Sequence, residues 1–291
     1  MRTAVLGATG FVGRALVPAL AQRGEVVAVS RRANAPELPG VRSVAADLTD
    51  GESTRGALDG VDVAYHLVHS LGARNFSELD RRAAENVATE AERAGVAQIV
   101  YLSGLGDDAD DLSAHLRSRT ETGAVLSSGA VPVTTLRAAV VVGRGSAAFE
   151  TIVALVDRLP VMVAPRWVST PTQPIAVTDM VRYLTGIAGR TEALGASFDV
   201  GGPEIITYGE MIQRIARLRG KRPLILEVPV LSPRLSSYWL HLVTPVGARV
   251  ARPLVEGLRN PTTARDDRIQ GLLPFPLTSF ADAARSALAP A

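Results

Sequence analysis

Three glycines at intervals of three, Gly7, Gly10 and Gly13, stand between a short apolar run, Thr3–Leu6, and a helical pattern over 11–23. No other stretch limits the possible folds so tightly. A strand that turns at once into a helix needs a first glycine for the tight turn. A second lets the backbone approach a phosphate, and a third lets helix and strand pack closely. The helix start then offers free N–H groups and a partial positive charge. A glycine turn alone can be a turn and nothing more. Strand, spacing and helix together predict a pyrophosphate cradle built from Gly7, Thr9, Gly10, Phe11, Val12 and Gly13.

The rest of the first half keeps a strand–helix rhythm. Further strands are expected at Val26–Val29, Val41–Ala45, Val63–Val68, Ile99–Leu102 and Val133–Val142. Helical patterns fall near 52–59, 75–94, 113–128 and 146–158. The 75–94 segment is clearest, because Phe76, Leu79, Ala83, Val87 and Ala91 recur at helical spacing on one face. Pro18 interrupts the first helical pattern without removing the expectation of a helix there. This alternation predicts an α/β fold, a Rossmann-type doubly wound parallel sheet. Later pairs follow, Pro174–Val177 with 178–189 and Ser197–Val200 with 207–219. Residues 1–145 are expected to form the dinucleotide domain. Residues 146–291 are expected to form a smaller substrate-covering region, partly interleaved with the sheet, that ends in a Pro-, Leu- and Arg-rich stretch from 229.

Composition narrows the function classes. With 47% apolar and 21% charged residues, the 291-residue chain can bury a core, which argues against disorder. The absence of cysteine excludes disulfides, thiolate metal sites and a cysteine nucleophile. Net charge is +2 without a long basic run, so nucleic acid is not an expected partner. The opening apolar run is too short for a signal-peptide core. The apolar stretch Leu235–Val255 is broken by Arg249 and Arg252, so no stable membrane insertion is expected. A soluble, cytoplasmic protein follows as the expectation, with a homo-oligomer left open.

After the second strand comes Ser30-Arg31-Arg32, without the acidic residue that would bind a ribose 2′-hydroxyl. A carboxylate there would repel a 2′-phosphate, whereas Arg31 can clamp one and Arg32 can add charge. The expected cofactor is therefore NADP(H). Two solvated surface arginines are the alternative. Asp47-Leu48 follows the third strand, where Asp47 would meet an adenine amino group or serve only as a turn residue. His69 and Ser70 end the fourth strand, at the sheet edge where ligands bind in open α/β folds. His69 could face nicotinamide or substrate, or be structural. Trp167 and Tyr208 could line an apolar substrate pocket, although aromatics are more often core.

These residues resemble the atypical short-chain dehydrogenase/reductases, and within them the YbjT-like and NmrA-like NAD(P)H-binding group. The resemblance rests on Gly7–Gly13, Leu67-Val68-His69-Ser70, Ser103-Gly104-Leu105-Gly106 and the 112–119 segment. It extends to Leu159–Met162, Pro165–Val168, Gln173–Val177, Leu235–Trp239 and Leu242–Pro245. It implies that Leu67, Val68 and His69 lie along the cofactor, as does the backbone of Arg137-Ala138-Ala139-Val140 at the end of the sixth strand, through Ala138 and Val140. It also implies that Asp80 occupies a helix where other members use a functional Asn, although on the bare sequence an aspartate that simply suits the helix dipole is the stronger reading.

Short-chain dehydrogenases usually place a serine after the fifth strand and a Tyr-x-x-x-Lys on the next helix. Here Ser103 is in place, His115 stands where Tyr would, and Arg119 stands where Lys would. His115 and Arg119 share a helix face. A histidine titrating near pH ~6.5 could exchange a proton unaided, while Arg119 could hold ribose hydroxyls but not shuttle a proton. The alternative makes His115 an ordinary residue behind a Ser113 N-cap and Arg119 solvated. The expected function is an NADP(H)-dependent oxidoreductase for a small, largely apolar carbonyl, quinone or enone. A non-catalytic NADP(H)-binding regulator and an NAD(P)-dependent epimerase or dehydratase remain as alternatives.

Overall fold

The computed structural model describes residues 1–34, 37–106, 112–228 and 257–289. In chain order the first elements are β1 (Thr3–Leu6), α1 (Phe11–Ala21), β2 (Val26–Ser30), β3 (Val41–Ala45), α2 (Gly51–Thr54), β4 (Val63–His66) and α3 (Phe76–Ala94). Then follow β5 (Gln98–Gly104), α4 (Ala114–Ser127), β6 (Val133–Ala138), β7 (Val141–Val142) and α5 (Ala147–Arg158). Next come β8 (Val161–Pro165), β9 (Pro171–Thr172), β10 (Ile175–Ala176), α6 (Val177–Ile187), β11 (Ser197–Val200) and β12 (Ile206–Thr207). The last are α7 (Tyr208–Leu218), β13 (Leu224–Val228), α8 (Arg268–Leu272) and α9 (Phe280–Leu288). The Leu235–Trp239 and Leu242–Pro245 stretches, and the apolar Leu235–Val255 run, lie outside the described residues.

Among the described residues, one seven-stranded sheet runs β3-β2-β1-β4-β5-β6-β11, every neighbour parallel. Its central strands are near-continuous apolar runs, as a sheet covered on both faces requires. On one face α1 and α6 pack through Leu16, Val17, Leu20, Met180, Tyr183 and Leu184. On the other, α3 and α4 pack through Ala83, Ala84, Val87, Ala91 and Leu126. A third core joins α5, α7 and α9 to β8 through Phe149, Met211, Ile215 and Phe280. The strand order reverses at β1, which pairs with both β2 and β4. Such a switch point opens a crevice at the carboxyl ends of those strands.

Local chemistry explains where elements stop. Gly95, in the left-handed region at φ +69°, closes α3. The Ser113, Ser146 and Thr207 hydroxyls cap α4, α5 and α7. Two expectations are corrected. The helix expected over 52–59 survives only as α2, because Gly56 turns at φ +78° and gives its N–H to the Glu90 carboxylate at 2.7 Å. The strand expected over Val133–Val142 divides: β6 stays in the main sheet, and β7 leaves to pair with β10. No helix among the described residues is long and apolar enough to cross a membrane.

Candidate functional site

The glycine turn follows β1 directly. Gly7 has φ +90°, which L side chains rarely adopt, and its N–H is held by the Val29 carbonyl at 3.0 Å. Side chains are excluded here by space as well. A Cβ on Gly7 would stand 3.1 Å from Val68 Cγ2, and one on Gly13 would stand 2.3 Å from the Gly7 carbonyl oxygen. The turn therefore touches Leu67 and Val68 at the end of β4, across the switch point. Gly10 caps α1 without a side-chain bond. The first N–H groups of a helix have no partner within it, so those of Phe11, Val12 and Gly13 are directed out of the helix start. Thr9 is part-exposed beside them, and the Phe11 ring packs under Gly143. These observations fit a bound pyrophosphate.

At the end of β2 the Ser30 hydroxyl is tied to the Arg32 carbonyl at 2.5 Å, while Arg31 and Arg32 are exposed. Across the β2–β3 edge, the Asp47 carboxylate accepts from the Thr49 hydroxyl at 2.8 Å and N–H at 3.0 Å. These bonds hold its pKa below the usual range, with a further contribution from Arg31. Both bonds fall on one carboxylate oxygen, which makes Asp47 a turn residue in the field of Arg31. Leu48 is buried, and its carbonyl accepts from Asn86 on α3.

The carboxyl ends of β4 and β5 meet α3 and α4 in a cluster of polar groups. The Arg119 guanidinium donates to the Leu102 carbonyl and lies 5.4 Å over the Tyr101 ring. Tyr101 in turn donates to the Arg119 carbonyl at 2.9 Å. Arg119 is therefore built into the sheet edge rather than simply solvated. Its anchor, Leu102, adjoins Ser103, which is 7% exposed. His115 lies one helical turn from Arg119. Burial first, then the Arg119 charge and His69, lower its pKa to about 3. This corrects the expectation of a histidine titrating near its ordinary value: at neutral pH His115 is uncharged. His69 reaches solvent in the cleft. The protein packed around its inner side first, and then the Arg119 charge, lower its pKa to about 4. Asp80, 4% exposed, accepts from the Ser70 N–H at 2.6 Å. Burial raises its pKa, against the Ser70 bonds, Arg119 and Ser118.

The cleft continues across β6 and β11. Ser103, Arg137 and Asp199 are register partners on successive strands, so all three project from the same sheet face. Arg137 Nε donates to Asp199 Oδ1 at 2.7 Å, and Nη2 stands 2.6 Å from the same oxygen. A cavity of about 240 Å³ opens here, lined by Leu105, Gly106, Arg137, Asp199, Pro261, Thr263 and Arg265. The Ala138 and Val140 carbonyls accept from Leu105 and Ile175 N–H groups, at 2.9 and 3.0 Å, which fixes their backbone beside Ser103. Trp167 and Tyr208 do not line this cavity. They pack edge to face, ring centroids 6.2 Å apart, in the third core.

Three side chains here escaped the sequence reading. His66, on β4, is fully buried with neither ring nitrogen hydrogen-bonded. Only its place on the inward side of the strand distinguishes it from His69, three residues later. Arg137 and Asp199 lie 62 residues apart, and only the strand register joins them.

A family model described as NAD(P)H-binding matches residues 7–141. The (4-alkanoyl-5-oxo-2,5-dihydrofuran-3-yl)methyl phosphate reductase of Streptomyces griseus subsp. griseus is 34% identical over 238 residues, 77% of this chain and 75% of that protein. The mitochondrial NADH dehydrogenase (ubiquinone) 1 alpha subcomplex subunit 9 of Arabidopsis thaliana is 24% identical over 239 residues, 77% of this chain. That match spans 60% of the Arabidopsis protein, and matches to two further curated relatives span about a third of theirs. Among solved structures, a nucleoside-diphosphate-sugar epimerase from Staphylococcus aureus shares the fold, with a TM-score of 0.78 at 17% identity over 98% of this chain and 100% of that one. With a tight glycine turn at the switch point and a reductase relative aligned over three quarters of its length, the chain belongs to the NAD(P)H-binding family of atypical short-chain dehydrogenase/reductases.

Proposed function

We propose that the chain is an NADP(H)-dependent oxidoreductase whose substrate is a small, largely apolar quinone, enone or other carbonyl compound. One observation carries this reading. The glycine turn touches the β4 end, His69 and His115 lie within each other's field, and Arg119 joins His115 to the strand that bears Ser103. A cofactor cradle and a set of oxygen-binding groups are therefore contiguous along one sheet edge.

The glycine turn would hold the pyrophosphate. Arg31 and Arg32 would hold a 2′-phosphate, Asp47 an adenine amino group, and Leu67, Val68, Ala138 and Val140 the nicotinamide end. When bound, a nicotinamide supplies or accepts a hydride. The chain's own residues then manage charge. Negative charge developing on a substrate oxygen would meet the Ser103 hydroxyl, an N–H of neutral His115 and the fixed positive charge of Arg119. Such preorganised donors in a partly dry cleft are a major source of rate. A neutral imidazole polarises an oxygen without holding a spare proton. This favours quinones and enones, whose reduced anions are delocalised, over simple ketones. The region after residue 145 would contribute the substrate side through β11 and residues 261–265.

The test mixes purified protein with NADPH and a panel of quinones, enones and ketones, and follows loss of nicotinamide absorbance. Quinones or enones should turn over, and His115→Ala should remove turnover while leaving NADPH affinity intact. Tight NADPH binding without turnover across the panel would favour the regulator instead, a reading supported by the missing Tyr and Lys.

A further inference from the structure

The Arg137 cavity sits beyond Ser103 on the same sheet face, one strand further from the glycine turn. Asp199 is 1% exposed and fixes Arg137 through Nε and Nη2. The other Asp199 oxygen accepts the Arg265 N–H at 2.9 Å, which ties the carboxylate to the chain wall opposite. Arg137 Nη1 makes no hydrogen bond among the described residues, and the side chain is 34% exposed and lines the cavity. A guanidinium held along one edge is a rigid fork whose remaining donors match a carboxylate or phosphate. Leu105, Gly106, Pro261, Thr263 and Arg265 complete the lining. Among the described residues the charged side chains of the lining are Arg137, Arg265 and Asp199. The nearby Asp266 is itself paired with Arg268 at 3.1 Å. At about 240 Å³ the space is smaller than a drug-sized site and suits one end of a small molecule.

We infer that this cavity is an anion subsite. Arg137 receives a single carboxylate or phosphate monoester on the substrate, and Asp199 is the residue that positions Arg137. The inference rests on reading the Ser103 cleft as the substrate site. It amends that reading: the substrate has an apolar reactive body with one charged end.

The test uses protein saturated with NADP⁺, so that the glycine turn is filled. Phenyl phosphate, benzoate and uncharged benzyl alcohol are titrated by calorimetry and ligand-observed NMR. At least one anion should bind tenfold or more tighter than benzyl alcohol. Preference for phenyl phosphate identifies a phosphate ester, and preference for benzoate identifies a carboxylate. Arg137→Gln should abolish the discrimination without changing NADP⁺ affinity. Because that variant leaves Asp199 buried and unpaired, the pair Arg137→Gln with Asp199→Asn provides a folded control expected to show the same loss. Asp199→Asn alone should reduce the ratio of anion to neutral binding while retaining part of it, a change that a purely structural role would not produce. Equal binding of all three probes by the unaltered protein, or discrimination that survives Arg137→Gln, would overturn the subsite. Failure to bind NADP⁺ would overturn the cofactor reading separately, since phosphate held at the glycine turn does not depend on Arg137.

Discussion

Replacing His66 by leucine should flatten the acid limb of the protein's stability. His66 is fully buried on β4, its ring centroid 5.8 Å from that of Tyr101, and neither nitrogen has a partner to stabilise a proton. Burial, and secondarily the Arg119 charge, lower its pKa to about 3. The unfolded chain titrates this residue near its ordinary value of about 6.5. Between those two values the unfolded state binds a proton that the native state refuses, so stability falls as pH falls. The loss begins below pH 6.5 and continues toward pH 3. At about 1.36 kcal/mol per unit, the 1.5 units between 6.5 and 5 amount to about 2 kcal/mol from this one group. Leucine has a similar volume and no orphaned nitrogen, so the variant should lie within about 1.5 kcal/mol of the parent at pH 7. Urea unfolding of both proteins at pH 7, 6 and 5 gives the comparison. The difference between them should shift by about 2 kcal/mol in favour of the variant across that range. His115 adds acid sensitivity to both proteins alike and cancels. Parallel pH profiles would show that the native protein accommodates a charged His66, and the reasoning from its burial would fail.

Two further substitutions probe the cofactor cradle. Gly13→Ala puts a methyl group 2.3 Å from the Gly7 carbonyl oxygen and 2.9 Å from the Ala8 backbone. It should cost roughly 1–3 kcal/mol in chemical unfolding and weaken dinucleotide binding, whereas unchanged stability would mean the turn is looser than described. Arg31→Ala should weaken NADPH binding at least tenfold more than NADH binding, measured by fluorescence titration; equal losses would contradict the 2′-phosphate assignment.

The parts of this molecule that were legible in the sequence are those determined by neighbours along the chain. The α3 helix could be read from Phe76, Leu79, Ala83, Val87 and Ala91, because three- and four-residue spacing alone creates a buried face. The glycine turn could be read because the positive φ at Gly7 and the contact of Gly13 with the Gly7 carbonyl lie within seven residues. The break between β6 and β7 could not, because Val133–Val142 holds no glycine or proline to mark a turn and closes on the unbroken run Ala138-Ala139-Val140-Val141-Val142. It leaves the sheet only where Ile175, 35 positions after Val140, offers it a second partner. The Arg137–Asp199 pair was hidden for the same reason: register between β6 and β11 is a property of the assembled sheet. For His115 the position was legible and the charge state was not, since burial and the Arg119 field arise only after α4 docks.

That charge state separates this site from the pattern it resembles. A cation one helical turn away lowers the pKa of any neighbouring acid. For tyrosine, starting near 10, the shift moves the group toward neutral pH and makes it a proton exchanger. For histidine, starting near 6.5, the same shift adds to the larger effect of burial, moves the group away from neutral pH and keeps it uncharged. Exchanging Tyr and Lys for His115 and Arg119 therefore preserves the electrostatic arrangement and reverses its consequence. The rate should show this. With His115 at about 3, kcat/KM for a quinone or enone should be level between pH 5.5 and 8, with no limb near 6.5. Arg119→Gln removes one of the two charge-based causes and should move the His115 imidazole titration, followed by NMR, upward toward its ordinary value. A limb centred near 6.5 in the unaltered protein, with the His115 imidazole seen by NMR to titrate at the same pH, would mean that His115 trades protons during turnover. The site would then work as an acid–base catalyst rather than as a fixed set of donors around a developing oxyanion.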